Sequence, residues 1–338
     1  MLSHHQSPLI VSASAASRLP RWALLVVLAT LALAGFSGHY FWNERDEQVF
    51  GLILTMARGD WTDWALPNIA GEAYSAAGPA IAWIGALSVR LTQAFIQPIT
   101  AAKISSLVWF ILATGSVWYA TWHLARRDEA QPVALLFCEE ASPRDYSRTV
   151  ADAAALLFVA SFGLFARLHE FGLPIVILAC WALGFAGTVW SLPHKKAGPA
   201  ISGLAAGLLS ISGNLAWALP LLLFSILSFV FVKAFCGYRA PRVIISLLTA
   251  AAVFSLWPVM AMAAGAPVSD WVRAFTDIQL AGLEWPSLDD ASWLIRNFIW
   301  YLCPMWPFAA YAVYAWRRVI SRPQTMIPLI AMGLALAA

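Results

Sequence analysis

Two adjacent carboxylates stand just after the first long apolar run of this sequence. The run covers 22–41, and Asn43-Glu44-Arg45-Asp46-Glu47 follows it. Only 12% of the residues are charged, so acids placed here would be held where lipid meets water. A carboxylate there can accept a proton from a hydroxyl group, bind a metal ion or cap a helix. Asp46 and Glu47 are therefore the first candidates for chemistry, although capping is the plainer interpretation of an isolated pair.

The residues after this pair have the spacing of a short amphipathic helix. Its apolar positions are Val49, Phe50, Ile53, Met56 and Ala57. Gly59 is expected to end the helix, because glycine is common at helix C-termini. The pattern places Asp46 at the N-terminus of this helix, on the water side of the interface.

Two further polar motifs interrupt the apolar sequence. Arg167-Leu168-His169-Glu170 falls between two apolar runs. Arg167 could contact a phosphate there, and Glu170 or His169 could contact sugar hydroxyls or a metal. A plain polar turn between two membrane spans is an equally good interpretation.

The other motif is Ser212-Gly213-Asn214, which divides a long apolar stretch in two. A broken helix is tolerated inside a membrane only where it lines a cavity or is buried in protein. A substrate groove at Asn214 would suit a transferase, and it would equally suit a transporter.

Composition indicates which elements position these residues. The chain is 61% hydrophobic with a mean hydropathy of +0.71. A helix needs about 20 apolar residues to cross a bilayer, so the sequence predicts an all-α, polytopic membrane bundle of about nine spans and excludes a soluble class. The apolar runs are 22–41, 104–122, 153–166, 172–190, 199–212, 215–232, 243–264, 297–315 and 326–338.

Basic residues decide the predicted topology through the positive-inside rule. The N-terminus and the basic connectors can all be cytoplasmic only if 77–97 does not span. We therefore predict that 77–97 is a helix on the outer surface. Its apolar face consists of Ile81, Ile84, Leu87 and Leu91. The outer loops are then 42–102 and 265–296, and 125–148 is a cytoplasmic loop.

The whole pattern resembles glycosyltransferase family 39 of the GT-C superfamily, which includes the protein O-mannosyltransferases and the lipid A aminoarabinose transferase. The similarity rests on motif order and spacing: Asp46-Glu47, Gly59-Asp60-Trp61, the turn 71–74, Pro79 and the run 203–220. The resemblance implies a sugar donor on polyprenyl phosphate. It also implies that the essential acid of the first outer loop is Asp46, with Glu47 as its neighbour.

The sequence departs from that family at three places. Such enzymes often carry a lysine before the surface helix, where this chain has Ala76-Ala77-Gly78-Pro79, and another at the 212–214 break. They commonly have an aspartate where this chain has His169-Glu170. Two cations for the donor phosphate are thus missing. Arg167, Arg58 or Arg296 takes their place, or the substrate differs, or activity is lost.

Two classes of function follow. The first is an inverting glycosyltransferase of the plasma membrane that moves a sugar from polyprenyl phosphate to a lipid, glycan or protein acceptor on the outer face. The second is a transporter or flippase, and a pseudoenzyme that binds a lipid-linked sugar is a further alternative. Transporters place ionisable residues near the middle of the bilayer, whereas the acids here gather in outer loops, which favours the transferase. Membrane lipids are expected partners and nucleic acid is not. The need for a divalent metal stays open.

The last apolar run, 326–338, is too short to span a bilayer. We therefore expect 1–338 to be the membrane domain of a longer protein, with further spans and a soluble domain beyond it.

Arg90 tests the predicted topology, because it lies on the proposed surface helix. A single cysteine in place of Arg90 is expected to react with a membrane-impermeant thiol reagent added from the outer side. Labelling only from the cytoplasmic side would contradict this topology.

Overall fold

The computed structural model describes residues 11, 16, 20–34, 41, 43–132, 141–167, 170–213, 215–280 and 287–337. About 79% of the described residues are helical. Within the described ranges the strands are limited to one hairpin, in which Asn68–Ile69 pairs antiparallel with Glu72–Ala73. The predicted all-α class is therefore confirmed.

The helices are α1 (Arg21–Leu33), α2 (Glu44–Arg58), α3 (Trp61–Ala65), α4 (Ala80–Thr92), α5 (Pro98–Ala102), α6 (Ile104–Ala125), α7 (Pro143–Ala160), α8 (Phe162–Arg167), α9 (Leu173–Trp190), α10 (Ala197–Ser212), α11 (Leu215–Phe231), α12 (Arg239–Ala263), α13 (Val268–Leu280), α14 (Leu288–Tyr301), α15 (Met305–Trp316) and α16 (Pro323–Ala337). Short 3-10 helices cover Asp128–Ala130, Lys233–Phe235 and Arg317–Val319.

In the described part of the chain, three helices are long and apolar enough to cross a membrane. They are Pro98–Ala125, which joins α5 and α6, together with α9 and α12. Several shorter apolar helices accompany them, including α10 and α11. These helices coincide with predicted apolar runs.

The predicted span 297–315 is wrong as a single helix. Helix α14 ends at Tyr301, and α15 begins at Met305 directly after Pro304. Proline lacks the backbone N–H of a helical residue, and its ring clashes with the preceding turn. The apolar run therefore folds as two helices.

Two predicted loops contain helices. Helix α7 begins at Pro143, inside the predicted loop 125–148, because Ser142 caps it by accepting a hydrogen bond from the N–H of Asp145. The predicted outer loop 265–296 contains α13 and the start of α14. Residues 133–140 and 281–286 lie outside the described part of the chain.

Helix α4 occupies the segment predicted to lie on the surface. Its 13 residues reach only about 20 Å, which is short of a hydrocarbon core of about 30 Å. The predicted apolar face is only partly right, because Leu87 and Leu91 are 50% and 70% exposed while Ile81 is buried. The buried face consists of Ala80, Ile81, Ala82, Gly85, Ala86 and Val89. Small residues let α4 approach α2, where Gly85 lies against Ile53.

Contacts between elements define two ends of the bundle. At one end, the segment 43–92 covers the C-terminus of α10 and the N-terminus of α9, and we call this the Asp46 end. At the opposite end, Arg322 donates a hydrogen bond to the backbone oxygen of Glu129 at 2.9 Å. We call that the Arg322 end.

Arg242 stabilises the Arg322 end from inside the protein. It is only 3% exposed. Its guanidinium donates twice to the backbone oxygen of Ser191, at 3.1 and 3.3 Å, and also to the oxygens of Tyr238 and Phe235. The C-terminus of α9 is thus joined to the start of α12 through a single side chain.

Small residues hold α9, α10 and α12 together. Gly203 of α10 lies so close to α12 that a Cβ atom there would overlap the backbone oxygen of Ser246. Beside it, the hydroxyl oxygens of Ser202 and Ser246 are 3.2 Å apart. Close backbone approach and interhelical hydroxyl contacts are typical of helix packing in membranes.

Gly203→Ala is expected to destabilise the protein, because α10 and α12 must move apart to admit the methyl group. Overpacking of this kind costs about 1–3 kcal/mol. Gly115→Ala is the matched control, since a Cβ atom on this helical glycine meets nothing within 4 Å. That control should gain up to about 1 kcal/mol from helix propensity. Thermal unfolding in detergent measures both, and equal stability of the two variants would contradict the packing described.

Candidate functional site

Helix α2 positions Asp46 in its first turn. The N-cap is Asn43, whose Oδ1 accepts a hydrogen bond from the N–H of Asp46 at 3.0 Å. Asp46 is fully buried, whereas Glu47 is exposed. The Asp46 side chain is therefore packed inside the protein rather than open to solvent, and the N-cap of α2 is Asn43 rather than Asp46. The predicted helix is otherwise confirmed: Val49, Ile53, Met56 and Ala57 are buried and Gly59 follows the last residue.

The Asp46 carboxylate joins the first loop to the turn before α9. Its Oδ1 accepts a hydrogen bond from the N–H of Phe171 at 3.0 Å, across 125 residues of sequence. A buried carboxylate needs such donors, because its charge is no longer solvated by water. Two motifs that the sequence offered separately therefore lie in contact.

Arg167 and Glu170 form an ion pair on the same turn. Nη1 of Arg167 lies 3.0 and 2.9 Å from the two carboxylate oxygens of Glu170, and Glu170 is buried. The hydrogen bond to Glu170 raises the pKa of the guanidinium, burial opposes the increase, and Tyr301 of α14 adds to it. Glu170 therefore fixes the position of the Arg167 guanidinium at the edge of the turn. His169 lies outside the described residues.

The break between α10 and α11 meets the first loop and α13. The N–H of Gly78 donates to the backbone oxygen of Ser212 at 3.0 Å. The N–H of Leu215 donates to Oε1 of Gln279 at 2.6 Å. Gly78 must be glycine here, because a Cβ atom would overlap the carbonyl oxygen of Ile211. The predicted break is confirmed, and Asn214 itself lies outside the described residues.

These contacts bring the three motifs into one region. A Cβ atom on Gly213 would lie 3.1 Å from a methyl group of Leu173, the first residue of α9. Leu173 follows Phe171 closely, and Phe171 holds Asp46. The region therefore combines a carboxylate, an ion pair and a helix break at the Asp46 end of the bundle.

Tyr74 adds a hydroxyl close to the start of α2. Burial raises the pKa of Tyr74, while the charge of the nearby Arg45 acts to lower it. Tyr74 is therefore a neutral hydrogen-bonding group. The turn 71–74 had been singled out from the sequence only through the family resemblance.

Other predicted site residues lie elsewhere. Arg58 is exposed at the last position of α2, about 18 Å along the helix axis from Asp46. Arg296 is exposed and donates to the oxygens of Ser292 on its own helix. The side chain of Glu47 has no hydrogen bond or ion pair with the described residues. Glu47 lies next to Asp46 in the sequence, but within the described residues the side chains of Glu47, Arg58 and Arg296 make no hydrogen bond or ion pair with Asp46, Arg167 or Glu170.

Two polar residues were missed by the sequence analysis. Gln279 is buried, and within the described ranges its Nε2 has no hydrogen-bond partner. Lys103 is buried between α5 and α6, at the Asp46 end of the bundle. A lysine within the apolar sequence around 98–122 was the available signal for Lys103, while no local pattern marks Gln279.

Metal ligands are not grouped in the described part of the chain. Within these ranges, no set of three His, Cys, Asp or Glu side chains is arranged to hold a metal ion. The contacts to Asp46 and Glu170 given above come from a backbone N–H and from an arginine.

Comparison with known proteins yields a distant similarity of fold. No protein-family model and no curated protein sequence matches the chain. Two solved structures of the oligosaccharyltransferase from Archaeoglobus fulgidus are similar in backbone. The complex with zinc and sulfate is 15% identical, with a TM-score of 0.47, over 93% of this chain and 46% of that one. The form tethered to an acceptor peptide is 12% identical, with a TM-score of 0.45, over 94% and 37%. The chain thus spans less than half the length of these proteins.

The Arg167–Glu170 pair is expected to stabilise the turn that holds Asp46. Arg167→Ala leaves a buried carboxylate without its cation, and a charged hydrogen bond is worth about 1.5–3 kcal/mol. We expect the lower part of that range, because the arginine is 37% exposed. The double variant Arg167→Ala/Glu170→Gln should recover part of the loss, because no unpaired charge remains.

Arg296→Ala is the control for this thermal unfolding experiment. Its side chain contacts only its own helix among the described residues, so its effect should stay within about 0.5 kcal/mol. A single Arg167→Ala variant as stable as Arg296→Ala would show that the ion pair does not support the turn.

Proposed function

We propose that the chain is the membrane domain of an inverting glycosyltransferase of the GT-C type. The observation that supports this most directly is the hydrogen bond from Phe171 to Asp46, which places the candidate base beside the Arg167–Glu170 turn. The family resemblance implies that Asp46 is the essential acid, and the residue types at 167–170 predict contacts with the donor phosphate and sugar. The donor is a sugar on polyprenyl phosphate, and the acceptor is a hydroxyl group of a lipid, glycan or protein.

The proposed reaction uses one base and one cation. The acceptor oxygen forms a bond to the anomeric carbon of the sugar while the bond from that carbon to the phosphate oxygen breaks. Asp46 takes the proton of the acceptor hydroxyl. Arg167 stabilises the negative charge that the departing polyprenyl phosphate gains.

Burial of Asp46 sets a condition on this reaction. The carboxylate has no exposed surface. An acceptor therefore reaches it only when the turn before α9, which carries Phe171, moves away from α2. The ion pair of Arg167 with Glu170 must likewise loosen for phosphate to share the guanidinium. Substrate binding would then open these two contacts as the site is assembled.

The distribution of charge supports an outer location for the Asp46 end. The opposite end carries clusters of cations, including Arg126, Arg127, Arg317, Arg318 and Arg322. The positive-inside rule assigns such connectors to the cytoplasm. The Asp46 end then faces the outside of the plasma membrane, where polyprenyl-phosphate sugars of the outer leaflet would reach it.

A pseudoenzyme that binds a lipid-linked sugar is the second candidate function. Two contacts favour it, because both proposed catalytic groups already have partners within the protein. Asp46 accepts a hydrogen bond from the backbone N–H of Phe171, and Arg167 is paired with Glu170. A transporter or flippase has weaker support, because transporters place ionisable residues near the middle of the bilayer and the acids of this sequence gather mainly in the predicted outer loops. Asp152 of α7 is a buried exception, and its Oδ1 accepts a hydrogen bond from the indole N–H of Trp118 at 2.7 Å.

Asp46→Asn separates catalysis from structure. The amide oxygen can still accept the hydrogen bond from Phe171, so thermal stability and donor binding should stay near parental. Loss of the proton acceptor should reduce sugar transfer about 10²–10⁴-fold, the usual contribution of general-base catalysis. Transfer from a polyprenyl-phosphate sugar and binding of that donor are measured in parallel.

Glu44→Gln is the matched control, because it removes a carboxylate from an exposed position of the same helical turn. Its transfer rate should equal that of the parent. Full transfer by Asp46→Asn would defeat the catalytic assignment. Donor binding by a parent protein that transfers nothing would favour the pseudoenzyme.

A further inference from the structure

A basic cavity opens at the Arg322 end, far from Asp46. Its volume is about 580 Å³. Its charged lining residues are Arg127, Lys233, Arg318, Arg322 and Glu129. Four cations and one carboxylate give the cavity a formal charge of +3. Such a cavity favours an anionic ligand.

Two of these cations are held by the protein itself. Arg127 donates to both carboxylate oxygens of Glu129, at 3.0 and 3.1 Å. Arg322 and Gln324 both donate to the backbone oxygen of Glu129, at 2.9 Å each. The cavity wall is therefore fixed by a small network around Glu129.

The other two cations are available to a ligand. Lys233 and Arg318 are exposed, and neither side chain has a hydrogen bond or ion pair with the described residues. They approach the cavity from different elements, since Lys233 follows α11 and Arg318 precedes α16. A phosphate group between them would gain two charge-assisted contacts.

Farther along the seam between α11 and α16 lies a separate apolar groove. Its volume is about 470 Å³, and its walls are Leu219, Pro220, Leu222, Leu223, Ile226 and Leu334. At 1.5 Å per helical residue, this groove runs from about 10 to about 21 Å from Lys233 along α11. One leaflet of the hydrocarbon core is about 15 Å thick, so the groove lies at the depth of an acyl chain.

We propose that this seam binds an anionic phospholipid. Its phosphodiester headgroup lies between Lys233 and Arg318, and one acyl chain lies along the groove. Charge selects against a zwitterionic lipid, whose ammonium group would meet a cavity of formal charge +3. The groove distinguishes a lipid from free phosphate, which would fill the cavity alone. Basic pockets between transmembrane helices are a common form of anionic-lipid site, and this assignment does not depend on the proposed sugar transfer.

The test uses the full chain, purified in detergent and stripped of lipid. Native mass spectrometry measures binding of phosphatidylglycerol, phosphatidylcholine and inorganic phosphate. We expect phosphatidylglycerol to bind more tightly than the other two. Lys233→Gln/Arg318→Gln should weaken phosphatidylglycerol binding about 30-fold, because each basic residue near an anionic lipid contributes about 1 kcal/mol, or about fivefold. Leu223→Trp should also weaken it by filling the groove.

Arg144→Gln/Lys196→Gln is the matched control, since it removes two exposed cations from the same end of the bundle but outside the cavity. It should bind phosphatidylglycerol like the parent. Three results would overturn the proposal: no preference for phosphatidylglycerol over phosphatidylcholine in the parent, equal weakening by the control, or displacement of the lipid by phosphate at an equal concentration. The last result would identify a phosphate site without a lipid.

Discussion

A carboxylate removed from water must find donors inside the protein, and the hydrogen bond between Asp46 and Phe171 meets that requirement here. It fixes the start of α2 to the turn before α9. Helix α2 in turn carries α4 on its buried face, and the loop before α4 reaches the break after α10. The long-range hydrogen bond between Asp46 and Phe171 is therefore the contact that joins α2, and α4 with it, to the turn before α9.

Irregular backbone at this end is satisfied in the same way. Helix α3 has only five residues and cannot pair its last carbonyl groups internally. The indole N–H groups of Trp83 and Trp257 donate to the oxygens of Trp64 and Ala65, at 2.9 and 2.8 Å. Oε1 of Gln279 accepts a hydrogen bond from the N–H of Leu215, the first residue of α11. Polar side chains thus make a non-helical path possible beside an apolar bundle.

Much of this architecture follows from local sequence. Apolar runs located α6 and α9 to α12, and helical spacing identified the buried face of α2. Spacing could not identify the partner of Asp46, because 125 residues separate it from Phe171. Nor could it choose the buried side of α4, where Leu87 is exposed and Gly85 is buried: close contact with α2 outweighs side-chain hydrophobicity there. The sequence could not identify Gln279 either. Its hydrogen bond to the N–H of Leu215 forms only because α13 packs against the break at 212–215.

Arg242 carries a consequence for how the chain enters a membrane. A cation beside a span acts as an orientation signal during insertion, yet in the folded protein this one is withdrawn from the surface onto the carbonyl oxygens of Ser191 and Tyr238. In the topology proposed above, the charge of Arg242 would act during insertion, and its side chain would become part of the interior only when α9 and α12 pack together. A lysine at 242 would keep the orientation signal during synthesis but would not reproduce the planar fork of donors. Biogenesis and folding thus place separate demands on the same side chain, charge for the first and shape for the second.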